Sequence, residues 1–127
     1  MAEFASPYAR TLGLTQVRES GRIVVTMPPG EGVAGRPGFL HGGAIGGLLD
    51  YAAWVAVMDA LDEGAAIKPV GITVDFMRGG KMEDAHASAR IVRMGRRIAN
   101  VAATAWQEDE AKPIATATLK FLVVRPS

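Results

Sequence analysis

The segment Phe39-Leu40-His41-Gly42-Gly43-Ala44-Ile45-Gly46-Gly47-Leu48-Leu49-Asp50 joins a glycine-rich turn to a carboxylate in apolar company. Gly42 and Gly43 lack a Cβ, so a ligand can approach their backbone N–H groups closely, and at a helix start such donors have no intrahelical partner. The helix dipole adds positive potential at the same end. A carbonyl oxygen seated there is polarised, and the negative charge it gains on nucleophilic attack is stabilised. Asp50 supplies the complementary group. Among Leu48, Leu49, Ala52, Ala53 and Trp54 an ionised carboxylate is costly unless paired or used, and such surroundings raise its pKa toward the range of a general base. The structural alternative is an Asp50 hydrogen-bonded to a strand or a partner chain. His41 either orders the turn through its ring nitrogens or donates to the reacting group. His86, between Ala85 and Ala87, is assigned no role.

Eight residues separate Gly42 from Asp50, which at ~1.5 Å rise is about 12 Å along one helix. One chain therefore does not bring both groups to a single reacting carbon. Two copies of the helix, antiparallel across a two-fold axis, set the Asp50 of one chain near the Gly42–Gly43 turn of the other and create two equivalent composite sites.

The elements that must position these residues follow from the pattern around them. GGAIGGLLDYAAWVAVMDAL, from Gly42 to about Leu61, has no Pro and is apolar on every face, which predicts a central helix buried all round. Before it, residues 5–11 read as a short amphipathic helix, and Leu14 to Glu19 and Arg22 to Met27 as strands joined by a tight Ser20-Gly21 turn. Pro28 to Gly38 is a loop leading to His41. After the helix, Ile67 to Met77, His86 to Met94, Ile98 to Gln107 and Pro113 to Val124 are rich in Val, Ile, Thr and Ala at partly alternating positions, the mark of four further strands. A curved antiparallel sheet around one apolar helix satisfies that order. Gly46 and Gly47 read as sites of close packing on the helix.

Composition bounds the rest. At 127 residues the chain suits one domain, 1–127, and its 49% hydrophobic and 21% charged residues are those of a globular protein. With 14 basic and 13 acidic residues the net charge is +1, too small a field to gather nucleic acid or an anionic membrane. There is no Cys and only two His, which excludes disulfides and thiolate chemistry and leaves no expectation of a metal site. Residues 1–14 do not read as a secretory signal, and Asp50 and Asp59 interrupt the Ala44–Leu61 stretch, so no membrane span and a cytoplasmic location are expected.

HGGAIGGLLD, followed after the helix by Gly71-Ile72-Thr73-Val74-Asp75-Phe76-Met77-Arg78, resembles the PaaI-like acyl-CoA thioesterases of the hotdog superfamily, over roughly residues 12–124. The Arg93-Met94-Gly95-Arg96-Arg97 hairpin is also similar to family members. The resemblance implies an α+β hotdog fold, a curved antiparallel sheet wrapped around one long central helix. It also implies homodimers, often paired into dimers of dimers, and hydrolysis of an acyl-CoA thioester to a free acid and coenzyme A, with no cofactor other than the coenzyme A of the substrate. By position Gly42 and Gly43 match the family's carbonyl-polarising turn, and Asp50 its catalytic carboxylate, acting as base on water or as nucleophile.

For the coenzyme A phosphates, Arg93, Arg96 and Arg97 cluster at one hairpin, with Arg78 and Lys81 a second basic group. Tyr51, Trp54, Val55 and Met58 are the candidates to lie beside the acyl group. Two positions depart from the family pattern. Members often carry Asn or Gln about six residues before the histidine, where this chain has Gly35 and Arg36, and often a Ser or Thr in the strand after the helix, where it has Pro69 or its neighbours and Thr73 is the nearest hydroxyl. The alternative functions on the same fold are a noncatalytic acyl-CoA binding or sensing protein and a dehydratase or hydratase. The second wants a catalytic His with an acidic partner in another motif.

Overall fold

Ser20 and Gly21 both adopt positive φ, 52° and 78°, and close a two-residue turn that pairs Glu19 with Arg22. Such turns match the right-handed twist of the strands they join. Ser6 caps the first helix by accepting from the Ala9 N–H at 3.1 Å, with Pro7 following where no amide hydrogen is needed. These local rules, repeated along the chain, give a computed structural model that describes residues 6–126. Its elements are α1 (Pro7–Thr11), β1 (Thr15–Glu19), β2 (Arg22–Met27), a 3-10 turn (Glu31–Val33), α2 (Gly42–Ala60), β3 (Ala66–Phe76), β4 (Ala85–Met94), β5 (Ile98–Trp106) and β6 (Ala115–Val124). Ala5, the expected first residue of the short helix, lies outside the described residues. The other expected boundaries fall within two residues of those observed.

All neighbouring strands are antiparallel, in the order β1-β2-β4-β5-β6-β3. The sheet curves around α2, the hotdog architecture that the resemblance implies. Ala85 and Ala87 on β4, Ala99, Ala103 and Ala105 on β5, and Ala115 and Ala117 on β6 are buried against the helix. Their small side chains let α2 approach closely, and Leu48, Leu49 and Val55 fill the space with Met27, Val25 and Phe121. Burying each large side chain of this set contributes about 1.5–3 kcal/mol.

β3 lies at one end of the sheet, hydrogen-bonded among the described residues to β6 alone. Pro69, which has no amide hydrogen, sits within it, and the pairing shifts between Pro69 and Gly71 so that Val70 bulges out, 55% exposed. Beyond the bulge Ile72, Val74 and Phe76 share the face that holds Leu119 and Ala117, the side turned toward α2, while Thr73 and Asp75 share the opposite face.

One expectation is corrected. α2 is not buried all round: Gly42, Gly43, Gly46, Gly47 and Asp50 form a face that the sheet leaves open. The curve of the sheet ends at β3, and residues without side chains have nothing to reach across the remaining gap.

Candidate functional site

His41 ends the loop in extended backbone (φ −71°, ψ 135°), and its Nδ1 accepts the Gly43 N–H at 2.8 Å. It is therefore the N-cap of α2. The loop fixes this residue firmly. The His41 N–H donates to the Val33 carbonyl at 2.8 Å, the Leu40 N–H donates to the Gly80 carbonyl at 2.8 Å, and Gly35 packs so near that a Cβ there would stand 3.0 Å from the His41 Cα. A larger residue at 35 would collide with the cap, which accounts for the glycine here. Arg36 instead lays its guanidinium over Phe39, 4.2 Å from the ring centroid.

With the Gly43 amide taken by His41, the Gly42 amide is the donor left without a partner in that turn among the described residues. Gly42 borders a depression of about 680 Å³. The open face of α2 contributes Gly42, Gly43, Gly46, Gly47 and Asp50, β3 contributes Pro69, Ile72, Val74 and Phe76, and α1 contributes Tyr8. Spacing explains why one face carries them: residues 42, 46 and 50, and 43, 47 and 50, recur at helical intervals of four and three. The Phe76 ring lies against Gly42, with its Cζ 3.3 Å from where a Cβ would be.

Asp50 is exposed at this depression, and its walls take away part of the carboxylate's hydration. That loss of hydration raises its pKa above the usual carboxylate value, and no hydrogen bond or ion pair to a described residue offsets it. An unpaired carboxyl with a raised pKa, in an apolar hollow, is the environment of a general base.

Gly42, Gly43 and Asp50 border one depression on the same face of α2, His41 caps the helix start beside Gly43, and the other expected site residues stand apart from it. Tyr51 is buried, donates its hydroxyl to Gln16 Oε1 at 3.2 Å, and stacks on Trp54 with 5.8 Å between centroids. Neither lines the depression, nor do Val55 and Met58. Thr73, on the far face of β3, borders a separate hollow with Val70, Val92 and Thr118. Arg93, Arg96 and Arg97 border a shallow hollow of about 550 Å³ with Gly95, Ile98 and Asn100, and no acid shares it. Arg78 and Lys81 border another together with Glu83, Glu108 and Asp109. His86 is set on the outer sheet face, its Nδ1 2.8 Å from Thr26 Oγ1 and its ring beside Trp106. Tyr8, Ile72, Val74 and Phe76 are not among the site residues that the sequence suggests, whereas Pro69, where the resemblance calls for a Ser or Thr, does border the depression with Asp50. The alternation Ile72, Val74, Phe76 is the signal in the sequence that pointed to three of them.

Residues 37–114 match the family model for the thioesterase superfamily. Among solved structures the chain is similar to a Bacillus halodurans protein crystallised with CoA, at 26% identity and a TM-score of 0.88 over 98% of this chain and 82% of that one. It is similar to a thioesterase family protein from Silicibacter pomeroyi, at 28% identity and a TM-score of 0.85 over 95% and 91% of the two chains. A phenylacetic acid degradation-related protein from Ralstonia eutropha is 25% identical, with a TM-score of 0.83 over 96% of each chain. A comparison with curated proteins gives no match.

Proposed function

We propose that this chain, which belongs to the thioesterase superfamily and is by family a thioester hydrolase, acts on acyl-CoA thioesters and releases a free acid and coenzyme A. The observation that carries the reading is one apolar depression bordered both by Gly42, whose amide has no partner among the described residues, and by Asp50, unpaired among them, so that an antiparallel second copy can set its own Asp50 at this Gly42. The CoA bound to the similar Bacillus halodurans protein supports the choice of thiol.

The thioester oxygen accepts a hydrogen bond from the Gly42 N–H at the positive end of α2. Asp50 of the partner subunit takes a proton from water as that water attacks the carbonyl carbon. The tetrahedral intermediate collapses, the C–S bond breaks, and the proton passes from that carboxyl to the departing thiolate. Asp50 as the attacking nucleophile, through an anhydride, uses the same positions. The separation of about 12 Å along one helix is the reason for a site shared by two chains. The free edge of β3, with Val70, Ile72 and Phe76 exposed, is the natural seam of a homodimer. A dimer of dimers uses further surfaces.

The arginine hairpin fits the same arrangement. Arg97 is tied to Val123, whereas Phe76 beside Gly42 pairs with Ala115, eight residues along β6 and roughly 26 Å away. A two-fold antiparallel partner across β3 brings its own Arg93, Arg96 and Arg97 toward this chain's Gly42. Three arginines without an acid suit the coenzyme A phosphates better than Arg78 and Lys81, whose hollow holds three carboxylates.

Thiol release from a panel of acyl-CoAs tests the reaction, with Asp50→Asn expected to abolish it. Mixing Asp50→Asn chains with Gly42→Val chains tests the shared site, because a hybrid dimer then holds one intact pair of groups and regains activity. Thermal protection by acyl-CoA without thiol release would favour the noncatalytic binding protein, and no recovery on mixing would remove the composite site.

A further inference from the structure

α1 is five residues long, yet it is built to hold one ring in place. Ala9 and Leu12 are buried in the core, Ser6 caps its start, and Gly13 (φ 73°) turns the chain away. Tyr8, by contrast, is 56% exposed and lines the depression. Its ring and Leu12 rest on Gly47, where a Cβ would stand 2.9 Å from Tyr8 Cε2 and 2.8 Å from Leu12 Cδ1. Glycine at 47 is therefore the condition for this position of the ring. One position earlier the situation is reversed, since no described residue lies within 4 Å of a Cβ added at Gly46. Along the open face of α2 the floor thus runs from Gly42 past Gly46, where no described residue stands close, and meets the Tyr8 ring at Gly47.

We propose that Tyr8 is a specificity-determining residue that ends the acyl channel and limits the length of the acyl group. This rests on the acyl-CoA reading above. A carbonyl held by Gly42 must send its nucleotide toward solvent and charge, which leaves the apolar floor past Gly46, walled by Ile72 and Val74, for the acyl chain. The first side chain in its way is Tyr8. Removing the ring opens room for further methylenes, and a single methylene accommodated or refused in an apolar pocket changes kcat/KM by about tenfold or more.

The test is kcat/KM over straight-chain acyl-CoAs of increasing length for wild type, Tyr8→Phe, Tyr8→Ala and Gly47→Ala. Tyr8→Ala should move the optimum to longer chains by roughly tenfold in the ratio of long to short substrates, while Tyr8→Phe, which keeps the ring, leaves the optimum in place. Gly47→Ala, by displacing the ring, should shift it in the same direction as Tyr8→Ala. A length profile unchanged in Tyr8→Ala, or scaled by one factor for all lengths, would overturn the role of Tyr8 and leave the hydrolase reading intact. A wild type that cleaves no acyl-CoA of any length would overturn both.

Discussion

The Gly43 amide donates to the ring of His41 at 2.8 Å, so the histidine that opens the glycine turn spends its Nδ1 on the helix end. Its first duty is structural, which leaves Gly42 as the polarising donor in the proposed reaction. An Asn side chain offers an acceptor at the same place, whereas Ala offers none. His41→Ala should therefore lower stability by about 1 kcal/mol, and His41→Asn should restore most of that loss with kcat largely retained. Thermal unfolding beside thiol-release kinetics checks both. If His41→Asn keeps the melting temperature but loses kcat a hundredfold, the imidazole carries a proton in the reaction.

Asp50 links activity to stability with a definite sign. Its carboxyl has a raised pKa in the folded chain because of lost hydration, so the native state holds that proton more tightly than the unfolded chain does. The resulting stabilisation is complete below the ordinary carboxylate range and is lost as pH rises through the raised value. Asp50→Asn has no such loss. Its melting temperature relative to wild type should climb as pH increases across that window, while turnover is abolished. Equal pH dependence of the two proteins would show that Asp50 is no more strained folded than unfolded.

Much of this arrangement is legible in the amino-acid sequence itself. The cluster of Gly42, Gly43 and Asp50 stands out because side-chain-free positions and a charge interrupt an apolar run, and the Ser20-Gly21 turn and the alternating strands follow from local chemistry. What stayed hidden depends on tertiary register. Tyr51 follows Asp50 directly, but one residue is about 100° around a helix, which carries its ring to Trp54 and Gln16 and away from the depression. Which face of β3 meets α2 is decided by the bulge at Val70, since a one-residue shift exchanges Ile72 for Thr73. Tyr8 depends on a gap at Gly47 that only the packed helices reveal.

Arg22 grips Glu110 through two hydrogen bonds of 2.6 and 2.7 Å, reaches Ser88 at 3.2 Å, and lies over the Trp106 ring. The pair joins β2 to the β5–β6 loop, far from the depression. Glu110 has its pKa lowered by the Arg22 hydrogen bond, so its contribution is present above the ordinary carboxylate value and fades as pH falls through the lowered one. Both side chains are more than a third exposed, which limits the effect by solvent screening. Arg22→Ala should cost about 1 kcal/mol or less at neutral pH, less still in high salt, and leave kcat/KM unchanged. Chemical denaturation at two salt concentrations measures it.

Gly46 separates the needs of the helix from those of the site. A glycine inside a helix is about 0.8–1 kcal/mol worse than alanine, and a Cβ added at 46 meets no described residue within 4 Å. On folding grounds alone Gly46→Ala should raise the melting temperature. The new methyl, however, would stand in the floor between the Gly42 amide and the Tyr8 ring, so kcat/KM for acyl-CoA should fall as stability rises, with larger residues such as Val deepening the loss. Gly47→Ala has the opposite stability sign, because its Cβ would press on Leu12 and Tyr8 at under 3 Å. Two adjacent substitutions of the same kind should thus move the melting temperature in opposite directions. A Gly46→Ala protein that is both stabilised and fully active would mean that the acyl chain does not cross this floor.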